Sequence, residues 1–187
     1  MNSLIPRQGT NYRKLLSYQK AEVVFDITYY FCQHYLSKGD RTVDQMIQAA
    51  RSGKQNIIEG CAASSTSKET EIKLVNVAKA SLQELLADYE DYLRTHNQEQ
   101  CALHSEKWEA MRQVGIKHHD NAYYMQLIST RPAETIANIC IILIKQTDYL
   151  LYRLLKSISE KFVAEGGFRE RMTRMRLDER EKERHHG

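Results

Sequence analysis

The stretch that decides the fold is RTVDQMIQAARSGKQNIIEG, which spans residues 41–60. Its apolar residues recur every three or four positions and therefore fall on one face of a helix. These residues are Val43, Met46, Ile47, Ala50 and Ile57. Thr42 followed by Gln45 is a capping-box spacing, which indicates where the helix begins. Gly60 stands where a helix C-cap is expected, so the stretch predicts one amphipathic helix.

The other face of this helix carries a row of polar residues. The row comprises Gln48, Arg51, Gln55 and Glu59 at steps of four, three and four residues, with Lys54 and Asn56 beside it. Catalytic groups usually converge from several elements, whereas these side chains belong to one helix. We therefore interpret the row as a polar network between helices and not as an active site.

Apolar stripes at helical spacing predict three more long helices. The connection Lys38–Asp40 is short, which makes the first two helices antiparallel neighbours. Thr66 followed by Glu69 repeats the capping-box spacing before the third helix. Pro132 opens the fourth helix at a first-turn position, where proline is tolerated. The further helices are expected over residues 11–37, 67–95 and 132–165.

Three segments outside the four helices differ in character. Residues 1–10 are expected to form a loose leader, and residues 95–131 an insertion with short helices. Gly166–Gly167 is expected to end the fourth helix and to open a suffix, 166–187, rich in charges of both signs. The predicted fold is all-α: an up-and-down four-helix bundle over 11–165, with an inserted short-helix region and a charged C-terminal helical tail.

Composition limits the possible classes of protein. The 187-residue chain has only two prolines and eight glycines, which favours long helices over strands. The net charge is +3, so nucleic-acid binding would depend on local clusters of basic residues. The four cysteines form no CxxC pair, which favours free buried thiols in a reducing cytoplasm. The longest apolar run, residues 139–144, is much shorter than the roughly 20 residues of a membrane span. We expect a cytoplasmic location without membrane contact.

Common catalytic and cofactor motifs do not occur in the sequence. There is no GxGxxG, GxxxxGK[ST], GxSxG or HExxH. Cys101, His104, His118 and His119 fit no standard zinc spacing, and only one of them is a cysteine. We therefore expect no catalytic residue, no cofactor and no metal site.

Two stretches resemble a known protein family, namely residues 41–60 and LVNVAKASLQELLADYEDYL at 74–93. They are similar to the small four-helix-bundle proteins typified by the 23S ribosomal RNA (23S rRNA) intervening-sequence protein. Accessory proteins of diversity-generating retroelements are relatives of that family. The resemblance implies an up-and-down bundle, longer members with a C-terminal suffix, and a ring, typically a homopentamer, without enzymatic activity. It also implies binding to nucleic acid and to a reverse transcriptase.

The main functional hypothesis is a non-enzymatic, oligomeric helical scaffold that binds RNA or DNA, alongside a reverse transcriptase or ribosomal RNA. Proteins bind phosphates chiefly through Lys and Arg side chains. The candidate contacts are Arg13, Lys14 and Lys20 on the first helix and Arg41, Arg51 and Lys54 on the second. The alternative is a protein–protein interaction module without nucleic-acid binding. The two differ in whether basic residues of neighbouring helices converge on one face.

Two apolar residues of the fourth helix lie on its predicted polar side. Ile142 and Tyr149 are seven residues apart and nearly in line, among Asn138, Lys145 and Arg153. We expect them to contact a neighbouring subunit of the oligomer. The alternative is that the insertion folds back and covers them.

Overall fold

The structure, a computed structural model, describes residues 11–165 and 168–185, and its regular elements there are helices, with no strand. A 3-10 turn, Tyr12–Lys14, precedes the first helix. The α-helices are α1 (Leu16–Tyr35), α2 (Arg41–Ala63), α3 (Lys68–Thr95), α4 (Glu106–Lys117), α5 (Asn121–Ile128), α6 (Ala133–Glu165) and α7 (Phe168–His185). The predicted all-α class is confirmed. The leader at 1–10 and the glycines at 166–167 lie outside the described residues.

Helices α1, α2, α3 and α6 pack side by side in that cyclic order, with α6 closing back onto α1. The closure is antiparallel. Tyr35, at the end of α1, donates to the carbonyl oxygen of Arg131, just before α6. Further back in α1, Thr28 lies 3.8 Å from the sulfur of Cys140, further along α6. Helices α1 and α2 are also antiparallel neighbours, because the connection between them is short.

The contact between α2 and α3 is close because α2 carries glycines on the side that faces α3. Gly53 and Gly60 are both buried, and a Cβ atom built on Gly53 would lie 2.9 Å from Leu82. Ser52 and Ser81 hydroxyls meet across the same contact at 2.9 Å. The predicted C-cap at Gly60 is wrong, since α2 continues to Ala63. Gly60 serves helix packing instead, because its missing side chain leaves room for α3.

The helix starts differ by one or two residues from the capping-box predictions. Asp40, and not Thr42, caps α2 by accepting a hydrogen bond from the Thr42 amide at 2.9 Å. Ser67, and not Thr66, caps α3 by accepting from the Thr70 amide at 3.2 Å. Both residues are strong N-cap types whose side-chain oxygens satisfy otherwise unpaired amides.

The core lies between the four long helices and contains one buried polar link. Leu82 and Leu143 are almost fully buried, so the apolar stripes of α3 and α6 face inward as predicted. The Tyr89 hydroxyl donates to Thr28 Oγ1 at 3.1 Å, and Thr28 donates to the carbonyl oxygen of Val24 at 2.7 Å. A buried hydroxyl without such a partner would destabilise the core. This chain of bonds joins α1 to α3 at their centre.

Candidate nucleic-acid interface and internal cavity

The insertion between α3 and α6 folds back onto the bundle and covers part of α6. Asn138 is only 2% exposed, and its side chain fastens the segment before α4. Its Oδ1 accepts from the Cys101 amide at 2.7 Å, and its Nδ2 donates to the Glu99 carbonyl oxygen at 2.9 Å. Helix α4 packs against α6, and α5 packs against α1.

The position of the insertion contradicts the predicted subunit contact for one of its two residues. Ile142 is 3% exposed, because it lies beneath the insertion and lines a cavity with Trp108 of α4. The prediction that Ile142 meets a neighbouring subunit is therefore wrong, and the alternative in which the insertion covers it is correct. Tyr149 stays on the surface, 60% exposed, and Tyr152 is exposed one turn further along α6.

The cations predicted to bind phosphate are mostly on the surface. Arg13, Lys14, Arg41 and Arg51 are exposed, and Lys54 is half-buried. Six ion pairs join described side chains of α3, α4 and α6. Within the described part of the chain, the predicted cations of α1 and α2 therefore form no ion pair.

The positions of these cations follow from the antiparallel packing of α1 and α2. Arg41 begins α2, next to the connection with α1, whereas Arg13 and Lys14 precede α1 at the opposite end. Arg51 lies ten residues after Arg41, which corresponds to a rise of about 15 Å. Lys54 follows one turn later. The cations are spread along the hairpin of α1 and α2, and the structure does not gather them into one cluster.

Aromatic side chains lie beside this row of cations. The Lys54 ammonium of α2 sits over the Phe25 ring of α1, 4.1 Å from its centroid. Further along α1, Tyr29 is exposed, and the Tyr30 and His34 rings stack at 3.9 Å. A shallow groove follows these residues between α1 and α5.

Asp26 is the acidic residue of this part of α1. Burial raises the pKa of its carboxyl, and the nearby Lys54 opposes that rise. The groove therefore combines aromatic rings with one partly buried carboxyl group, and the Lys54 ammonium lies beside it over the Phe25 ring.

Lys20 is the exception among the predicted phosphate contacts. It is 5% exposed, and its ammonium donates to the carbonyl oxygen of Gly115 at the end of α4. Burial lowers the pKa of Lys20 to about 8. The prediction that Lys20 contacts an external phosphate is wrong, because the insertion closes over this part of α1.

Lys20 instead lines a cavity between α1, α4 and α6, together with His119 and Gln146. These three polar residues come from three different parts of the chain. The sequence offered no signal for the cavity, since the residues that line it lie up to 134 positions apart, from Leu16 to Leu150. For Gln146, the sequence shows only a polar residue that follows the apolar run 139–144 of α6.

Neither a metal-binding group nor a membrane-spanning helix occurs among the described residues. No group of three or more His, Cys, Asp or Glu side chains there is placed to hold a metal ion. None of the helices in 11–165 or 168–185 combines the length and hydropathy needed to cross a membrane. Comparisons with protein-family models, curated proteins and solved structures found no match.

Proposed function

We propose that this protein is a non-enzymatic helical scaffold that binds nucleic acid through the outer surface of the α1–α2 hairpin. The cations are spread along the hairpin and form no single cluster, so the proposal rests on the distribution of ion pairs and not on convergent charge. The ion pairs of the described residues lie on α3, α4 and α6. By contrast, four exposed cations of the hairpin form no ion pair there, namely Arg13, Lys14, Arg41 and Arg51. Such cations can release counterions from a phosphate backbone without first breaking an internal pair.

The aromatic groove supports a single-stranded ligand over a duplex. Proteins that bind single strands combine cations along the backbone with aromatic rings on which bases stack. Tyr29 is exposed on the same hairpin, and the next residue, Tyr30, stacks on His34 one turn further along. Lys54 and Phe25 place a cation at the other end of the groove.

The experiment measures binding of a fluorescent single-stranded RNA and of a DNA of the same sequence by anisotropy at several salt concentrations. Arg51→Ala with Lys54→Ala should weaken binding to every sequence. It should also reduce the slope of log affinity against log salt by about 0.7 for each lost phosphate contact. Arg153→Ala with Lys156→Ala is the matched control, since it removes two exposed cations from α6.

The expected result is a flatter slope for the α2 variant and an unchanged slope for the α6 variant. Equal losses in both variants would mean that only net charge matters. No binding by the parent protein at low salt would reject the proposal in favour of the alternative, a protein–protein interaction module. Exposed Tyr149 and Tyr152, one turn apart on α6, favour that alternative.

Two parts of this proposal rest on the family resemblance. They are assembly as a homo-oligomer, pentameric in size, and a reverse transcriptase or ribosomal RNA as the companion molecule. Tyr149 remains the candidate contact between subunits. The free cysteines of the described chain suit a reducing compartment such as the cytoplasm.

A further inference from the structure

The cavity between the bundle and the insertion encloses about 460 Å³, which is within the range of small-molecule sites. Its walls are apolar. They are formed by Leu16, Trp108, Ile116, Ile142, Tyr149 and Leu150. Leu16, Ile116 and Tyr149 are also exposed, so the cavity opens to solvent at their rim. A ligand can therefore reach the interior without displacing a helix.

The polar groups of the cavity are cationic or neutral. Lys20 donates to the carbonyl oxygen of Gly115 and has no carboxylate partner among the described residues. Arg112 and Lys145 also line the cavity, but each already pairs with a glutamate. No Asp or Glu lines it. Of the described Lys and Arg side chains that line this cavity, Lys20 is therefore the one without a carboxylate partner.

Two further polar atoms of the lining lack partners. The Nδ1 of His119 and the Oε1 of Gln146 are buried and make no hydrogen bond. Buried polar groups are nearly always paired, so these two atoms are exceptions in the wall of the cavity. Burial and the Lys20 charge lower the pKa of His119, which keeps the imidazole neutral and able to donate one hydrogen bond.

We propose that this cavity binds a small amphipathic carboxylate, with its alkyl or aryl body against Trp108, Ile142 and Leu150 and its carboxylate on the Lys20 ammonium. A buried ammonium is destabilising unless it is paired, so an anion gains more here than at an exposed lysine. The His119 imidazole lies near Lys20 at the same end of the cavity. This site is independent of the α1–α2 surface proposed for nucleic acid.

The test uses the fluorescence of Trp108, the single tryptophan of the chain. The full-length protein is titrated at pH 7 with sodium octanoate, and separately with 1-octanol and octylammonium chloride. We expect a saturable change with octanoate at a concentration at least tenfold lower than with octanol. Octylammonium should bind more weakly than either. Equal affinities for octanoate and octanol would overturn the proposal.

Lys20→Met should abolish the preference for octanoate over octanol. Lys156→Met is the matched control, because Lys156 is exposed on α6 and does not line the cavity. It should keep the tenfold preference, and a loss in this control equal to that in Lys20→Met would overturn the assignment.

A measurement on the native protein covers the case in which Lys20→Met does not fold. The ionisable groups that line the cavity are Lys20 of α1, Arg112 of α4, His119 of the α4–α5 connection, and Lys145 and Tyr149 of α6. The preference for octanoate should shrink between pH 7 and pH 9.5, as Lys20 loses its proton. A preference unchanged over that range would assign the anion to another cation. Absence of any octanoate effect in the parent protein would overturn the proposal.

Discussion

Lys20 carries a charge at neutral pH although it is buried. Its ammonium donates to the Gly115 carbonyl oxygen, and burial lowers its pKa from 10.5 to about 8. Each unit of pKa corresponds to about 1.4 kcal/mol, so holding this charge destabilises the fold on the order of 3 kcal/mol at pH 7. The penalty disappears once Lys20 is neutral in both the folded and the unfolded chain. Between pH 8 and 10.5 the unfolded chain binds more protons than the folded one, so stability rises with pH over that window.

Lys20→Met should therefore change how stability depends on pH. The free energy of unfolding of the parent protein should rise by roughly 2–3 kcal/mol relative to the variant between pH 7 and pH 10.5. Urea unfolding of both proteins at several pH values measures the difference, and titration of other groups cancels between them. Parallel pH profiles would show that Lys20 is solvated in the folded protein.

The packing of α2 against α3 depends on the size of the side chains at positions 53 and 82. A Cβ on Gly53 would meet Leu82 at 2.9 Å, whereas a Cβ on Gly60 would meet Val75 at 3.4 Å, an ordinary contact. Both glycines lie inside α2, where alanine is favoured by about 1 kcal/mol in an unconstrained helix. The same substitution should thus act differently at the two positions.

Gly53→Ala should destabilise the protein by roughly 1–3 kcal/mol through overpacking, while Gly60→Ala should be neutral or stabilising. Leu82→Ala alone should cost roughly 2–5 kcal/mol, as for other buried leucines. Adding Gly53→Ala to Leu82→Ala should be neutral or stabilising, because the clash is gone and the helix preference remains. Denaturant unfolding of the four variants gives the coupling energy. Additive effects at Gly53 and Leu82 would mean that the two residues do not meet.

At the scale of the whole molecule, the insertion divides the surface of α6 into a covered and an open part. Ile142 and Asn138 are covered, while Tyr149 and Tyr152 remain exposed. Two exposed aromatic residues one turn apart can anchor an interface, since tyrosine is enriched at interface hot spots. In a closed ring every interface would repeat this contact.

Tyr149→Glu should lower the mass found by light scattering at tens of micromolar protein, without loss of helicity by circular dichroism. Tyr29→Glu is the matched control, because Tyr29 is an exposed tyrosine on α1. It should leave the mass unchanged. A parent protein that is monomeric at this concentration, or an oligomer that survives Tyr149→Glu, would exclude this subunit contact.

Much of the fold could be predicted from local sequence signals. The spacing of apolar residues predicted the four long helices within a few residues of their observed ends. The inward faces of α3 and α6 were also correct, as Leu82 and Leu143 show. Helix caps were less exact, because another strong N-cap residue stands close to each predicted one, and it is Asp40 and Ser67 that accept from the helix amides. Of the candidate phosphate contacts, only Lys20 proved to be inside.

What the sequence determined by itself is the set of helices and the apolar stripe of each, since helical periodicity is a property of neighbouring residues. Tertiary structure decided which parts of the polar faces stay exposed. Asn138 and Ile142 lie on the predicted outer side of α6 but are buried, because the insertion is fastened there through Cys101. Lys20 meets Gly115, 95 residues away along the chain. Contacts of that range leave no periodic trace in either segment, so only the folded chain places Lys20 in a cavity.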